Sequence, residues 1–371
     1  MPKILSSDDD KYLAAQQEDG NFVVYRKSDM SPLWDRWSYE AVTPSVMIPN
    51  SFPDSVIKEP KLIVKGCNPI GMSYWRNINN HEGREALKLL LSIDDELIVF
   101  NINKSTLEVL SKTKLNITHT GEGCYFSATR HDILYVPTDK SLIAVNIFTG
   151  DHAVVWLADN GTNLWQCHSS YNENIHSATI KDENYNIIKW GLSIDGQIKY
   201  YSLKGNPDEC QIDKSGQYLV IKEDNYNRII HISPGVEQFI SNEEGALGHS
   251  DCGFGVILGE NDFSPLPGAC DLIDLNTLKH SLIYSTGIWN MGYVSFTNAR
   301  PGVDNQHCLI TTPNELIKVN LDGTGTEGIC PHLTESQDYE MRPKANLCPL
   351  GEFAAYTSFI GGTLNAYVVK V

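Results

Sequence analysis

"GCYFSATRHDILYVPTDKSLIAVNIFTGDHAVVWLAD", residues 123–159, holds four short apolar runs, CYFSAT, ILYVP, LIAVNI and AVVWLA, parted by RHD, TDK and FTGD. Runs of this length, rich in β-branched and aromatic residues and bounded by turn formers, read as strands joined by hairpins. Four such strands form a small antiparallel sheet that cannot bury both of its faces alone, so it calls for neighbours of the same kind.

Those neighbours are present. The same order of strand and turn recurs in LLLSIDDELIVFNINKSTLEVL (89–110), IIKWGLSIDGQIKYYSL (187–203) and ECQIDKSGQYLVIKEDNYNRIIHISPGVEQFI (209–240). It returns in CGFGVILGENDFSPLPGACDLIDLNTLKHSLIY (252–284) and GYVSFTNARPGVDNQHCLITTPNELIKVNLDGTGTEGI (292–329). The third-strand segments repeat about every forty to fifty residues, and no helix-period stretch interrupts them. The expected fold is all-β: a β-propeller of four-stranded antiparallel blades. The count reads as seven, or eight if residues 1–38 form a blade of their own. The last segment, PKANLCPLGEFAAYTSFIGGTLNAYVVKV, supplies three strands and stops. Ring closure by an N-terminal strand follows, with NFVVY and PLWDRW as the donors. This gives residues 1–38 as closing strands, or as a separate lectin-like repeat, and 39–371 as the propeller.

The repeats resemble the TolB/WD40-like propeller superfamily, which includes the seven-bladed oligogalacturonate lyases. The tokens that carry the resemblance are the turns SIDG (193–196), DKSG (213–216) and CPLG (348–351). Near the N-terminus QEDGNFVVY (17–25) resembles the bulb-type lectin signature Q-x-D-x-N-x-V-x-Y. That likeness implies mannose-type binding by Gln17, Asp19, Asn21 and Tyr25. In the propeller reading Asp19-Gly20 is instead a hairpin turn between apolar runs. One lectin repeat per chain would complete its prism by trimerising, which leaves a homo-oligomer open.

Acidic residues outnumber basic ones 46 to 29, for a net charge of −17 over 371 residues, and there is no Lys/Arg-rich run. Nucleic acid is therefore excluded as a direct ligand, and the partners expected are protein or carbohydrate. The sequence shows neither a Sec-type leader nor an apolar run long enough to span a bilayer, so a soluble protein without membrane insertion is expected, cytoplasmic or built into a virion or surface structure. The nine cysteines form no C-x-x-C pair and read as free, half-buried thiols.

Propellers bind at the mouth of the central channel. The candidates for that mouth are His119, His168, His176, His249, Asp251 and Arg342. A divalent metal, manganese or calcium, would draw on His249, Gln306, His307 and His332. The lyase resemblance implies a His/Gln metal set, with the metal acidifying the proton beside a uronate carboxyl. The chain offers the pair Gln306-His307, no H-x-H, and MRPKANLCP where that family has a His-Pro motif. His119 and His249 also fit a structural part, a histidine locking the turn before a first strand, and His307 fits a satisfied sheet position. With no nucleophile elbow, P-loop, zinc-helix or dinucleotide fingerprint in the sequence, the leading expectation is a non-enzymatic binding or assembly module. The alternatives are a metal-dependent oligouronide lyase and an intracellular protein scaffold.

Overall fold

A computed structural model describes residues 4–6, 12–16, 22–26, 28, 31–35, 58–67, 77–119, 123–224, 226–241, 244–261, 269–285, 294–296, 306–322, 324–335, 338 and 341–371. The chain divides into two compact units, Met1–Ser55 and Val56–Val371.

The larger unit is a seven-bladed β-propeller. Its sheets each hold four antiparallel strands in sequential order: blade 1 (78–115), blade 2 (125–157), blade 3 (162–202), blade 4 (207–241), blade 5 (250–285), blade 6 (294–331) and blade 7 (346–370). Blade 7 borrows its outermost strand, Lys61–Lys65, which pairs with Thr363–Lys370 in the register Asn365↔Lys65 and Val368↔Lys61. The ring thus closes with a strand from the N-terminal side, but the donor is KLIVK rather than NFVVY or PLWDRW. A lysine at each end of a short apolar strand suits a rim position, because edge charges discourage further pairing.

The two expected donors lie in the smaller unit. There Ile4–Ser6, Tyr12–Gln16, Phe22–Arg26 and Ser31–Asp35 pair in order as a sheet of their own, and the ring has seven blades, not eight. Gln16 pairs with Phe22 in the antiparallel register of the second and third strands. Gln17, Asp19 and Asn21 lie outside the described residues. Tyr25 belongs to the strand Phe22–Arg26, with its backbone opposite Leu13 and Pro32.

The apolar core lies between blades. Leu89, Phe100 and Ile102 of blade 1 pack against Phe353, Ala355 and Val368 of blade 7, so burial as well as hydrogen bonding closes the ring. Between blades 2 and 3, Trp156 packs with Tyr135, Leu142, Leu164 and Ile180. It passes so close over Gly191 that a Cβ there would come within 2.7 Å of the indole. Trp190, Leu192 and Cys210 fill the seam between blades 3 and 4. Eight of the nine free cysteines are buried, and burial pushes the Cys124 thiol up to about 12, which suits packing rather than reactivity.

The turn between a blade's first and second strands is one device built from different residues. In DKSG, Asp213 N–H donates to the Tyr218 carbonyl at 2.9 Å while the Asp213 carboxylate accepts from the Gln217 and Tyr218 amides. In CPLG, Cys348 N–H donates to Phe353 O at 2.8 Å and the sulfur takes the carboxylate's place, accepting from Phe353 N–H. Ser127 and Ser170 make the equivalent backbone bonds to Ile133 and Ile175. SIDG is a different turn, the hairpin between the third and fourth strands of blade 3.

Candidate functional site

Strand parity decides which loops share an end of the propeller. The loops between blades and the hairpins between second and third strands emerge at one end, called here the mouth. The hairpins between first and second, and between third and fourth strands, emerge at the other. His119 lies in the loop between blades 1 and 2, and His249 in the loop between blades 4 and 5. Asp251 is in the first strand of blade 5, while His332 and Arg342 lie in the loop between blades 6 and 7. All of these belong to the mouth end.

His168 and His176 flank the first hairpin of blade 3, and Gln306 and His307 stand where the second strand of blade 6 begins. All four belong to the opposite end. The six residues expected at the mouth are therefore split four and two. The four expected around a metal are split two and two, across a strand of five residues, about 17 Å.

The mouth residues differ in what they do locally. His119 Nε2 lies 3.1 Å from the Asp95 carbonyl and ties the interblade loop to a hairpin tip of blade 1. His332 is buried and fully engaged: Nε2 donates to Thr312 O at 3.0 Å, and Nδ1 accepts from the Thr334 amide at 3.2 Å. Burial is the main cause that holds its pKa below the ordinary range, so the ring is neutral with neither nitrogen offering a lone pair to a metal.

His249 is different. Its ring is half-exposed, and Nδ1 stands 3.7 Å from the buried carboxylate of Glu260. Two backbone bonds clamp the loop beneath it, Gly248 N–H to Glu260 O at 2.8 Å and Glu260 N–H to His249 O at 2.9 Å. Gly259 permits that approach, since a Cβ there would lie 2.8 Å from the His249 carbonyl oxygen.

Beside His249 lies a charged cluster that the sequence reading did not single out. Lys222 Nζ lies 2.5 Å from Glu209 Oε1 and 3.5 Å from Asp208 Oδ2, and donates to Gly248 O at 2.7 Å. Gln211 Nε2 donates both to Glu209 and to Ser250 O, at 3.0 Å each, bridging the first strands of blades 4 and 5. Burial alone would pull the Lys222 ammonium down, but Glu209 and Asp208 outweigh it and hold its pKa above the ordinary value. The one signal in the sequence is Lys222-Glu223 ending the apolar run YLVI, where two charges on a central strand require partners.

At the opposite end His176 is buried beside Ser169, whose hydroxyl lies 2.7 Å from Nδ1 and also bonds Tyr125. The next residues of that hairpin send Glu173 across to blade 2. There its carboxylate accepts from Ser127 Oγ at 2.5 Å, Ala128 N–H at 2.8 Å and the Tyr135 hydroxyl at 2.8 Å. This is a lock between blades, with no room for a substrate at Ser169, which is 2 % exposed. Among the described residues no three His, Cys, Asp or Glu side chains converge as a metal site.

No family model matches the chain, and no curated protein matches it. Among solved structures it is similar to an oligogalacturonate lyase of Vibrio parahaemolyticus, with TM-score 0.61 and 9 % identity, over 85 % of this chain and 97 % of that one. An oligogalacturonate lyase in complex with manganese gives TM-score 0.61 and 11 % identity, over 85 % and 98 % of the two chains. The Pan2 WD40 domain of Neurospora crassa gives 0.52 and 10 %, over 81 % and 89 %. At these identities the likeness is one of fold.

Proposed function

We propose that this chain is a non-enzymatic binding propeller that engages a protein or carbohydrate at its mouth, around His249 and the cluster of Asp208, Glu209 and Lys222. The observation that carries this reading is the split of the metal candidates: His249 and His332 belong to one end, Gln306 and His307 to the other, and His332 has both nitrogens engaged. A manganese-dependent lyase needs its ligands on one ion and its base beside the substrate. The residues at hand do not fit that group, because they stand at opposite ends of the ring and His332 has both nitrogens engaged.

What remains at the mouth suits recognition. A half-exposed imidazole backed by Glu260 lies beside carboxylates held rigid by Lys222 and Gln211, presenting oriented donors and acceptors to hydroxyl or amide groups. The lyases of similar fold act on an oligouronide by name, which supports testing sugars first. Assembly into a virion or surface structure, or a cytosolic scaffold, are settings compatible with such a module. Among the described residues no helix is long and apolar enough to cross a membrane.

The test is a glycan array probed with the wild type, His249→Ala and Asn21→Ala, alongside an absorbance assay for unsaturated uronide product with manganese or calcium added. Binding that weakens in His249→Ala, without product, is the expected result. Loss in Asn21→Ala alone would move recognition to the N-terminal unit. Product formation that depends on His249 would replace the binding module with the lyase.

A further inference from the structure

The end of the propeller opposite the mouth carries, across blades 1 and 2, two cations, Arg84 and Lys88, that no carboxylate among the described residues neutralises. His81 and Arg84 lie on the first hairpin of blade 1, and Lys88 follows in Ala86–Ile93. His131 ends the first hairpin of blade 2, and Phe148 lies on the hairpin between its third and fourth strands.

These side chains touch. Arg84 Nη2 is 3.3 Å from His131 Nδ1, and because a guanidinium only donates, His131 Nδ1 is the acceptor. The His131 ring lies 5.9 Å from Phe148, and Lys88 Nζ sits 4.7 Å over the same phenyl ring. The His81 ring meets His131 edge-on at 6.4 Å.

Among the described residues no carboxylate lies within ion-pair distance of Arg84 or Lys88, although acids outnumber bases 46 to 29 in the sequence. The acids nearby are turned elsewhere. Asp132 accepts from Asn146 Nδ2 at 2.9 Å, and Glu173 is held by Ser127, Tyr135 and Arg130. Glu82 and Glu85 flank Arg84 on its hairpin and are exposed. Burial, and after it the Arg84 charge, holds the Lys88 ammonium below its ordinary pKa. Phe148, under the Lys88 ammonium and beside the His131 ring, is 61 % exposed.

We propose that this patch docks an acidic segment of a partner protein, with a carboxylate between Arg84 and Lys88 and an apolar side chain over Phe148. Charge complementarity selects the occupant: a chain of net charge −17 repels polyanions at long range, yet here offers a local fork-shaped donor and an ammonium that fit a single carboxylate. The exposed ring adds an apolar contact at the centre of the charges, the arrangement by which an aromatic anchor and polar rim divide affinity and specificity.

The test uses the full chain and a fluorescein-labelled peptide of alternating Glu and Phe, read by fluorescence anisotropy at low and high salt. The expected result is saturable binding that falls with salt and weakens at least about tenfold in Arg84→Glu/Lys88→Glu. Phe148→Ser should weaken it several-fold, and His249→Ala should leave it unchanged, which separates this patch from the mouth. Urea midpoints equal to wild type would show that the surface variants are folded. Equal binding by the charge-reversal variant, or no binding by the wild type, would overturn the proposal. Binding to phosphatidylserine vesicles through the same residues, without peptide binding, would also overturn it, in favour of a lipid surface.

Discussion

Arg228→Ala is expected to lower the free energy of unfolding by about 3–5 kcal/mol, measured by urea denaturation at neutral pH. Arg228 is 2 % exposed, and its guanidinium bonds Glu223 Oε1 at 3.3 Å, Glu237 Oε1 at 2.6 Å and the Ser202 carbonyl at 2.9 Å. The Glu223 carboxylate also accepts from Trp190 Nε1 at 3.2 Å and Lys204 N–H at 2.9 Å, so the group spans the seam between blades 3 and 4. Removing the arginine leaves a fully buried carboxylate without its cation, and the desolvation it already suffers is no longer offset. The exposed pair of Lys114 and Glu96 gives the contrast, since Lys114→Ala should cost less than about 1 kcal/mol. Similar losses for both would mean that the blade seam does not depend on its buried charges.

Acid is expected to destabilise the propeller through His176. Burial, opposed only in part by Glu173, lowers its pKa from 6.5 to about 4. Above pH 6.5 the ring is neutral in folded and unfolded chains alike. As the pH falls from there to about 4 the unfolded chain takes up a proton that the folded chain refuses, so stability is lost across that window by about 3 kcal/mol. The loss levels off below the folded pKa. Urea titrations at neutral pH and near pH 4 should show this difference in the wild type and a correspondingly smaller one in His176→Gln. A variant with the same pH dependence as wild type would remove His176 as the source.

The propeller was readable because its third strands are apolar, regular and followed by strong turns, as LIAVNI and LIKVNL show. The first and second strands of blade 3 were harder. Thr162–Ser169 and Ile175–Asp182 carry Thr, Asn, Gln, His and Ser, yet most of these are buried, satisfied by neighbouring blades rather than by solvent. Polar composition hid the strands, and without them the parity that sends His176 to one end and His249 to the other could not be counted. The closing strand KLIVK was missed because five residues with a lysine at each end carry little signal beside NFVVY, which has no charge at either end. The mouth cluster was hidden for a related reason: Asp208, Glu209 and Lys222 are ordinary surface residues until the fold puts them against the His249 loop.

The two ends of the ring hold different histidines, His249 at the mouth and His307 opposite. Calorimetric titration of metal-free protein with manganese, and then with calcium, tests it most directly when repeated on His249→Ala and His307→Ala. The expected result is no saturable isotherm that both substitutions abolish. A stoichiometric site lost in both variants would place groups from opposite ends of the propeller on one ion and contradict it.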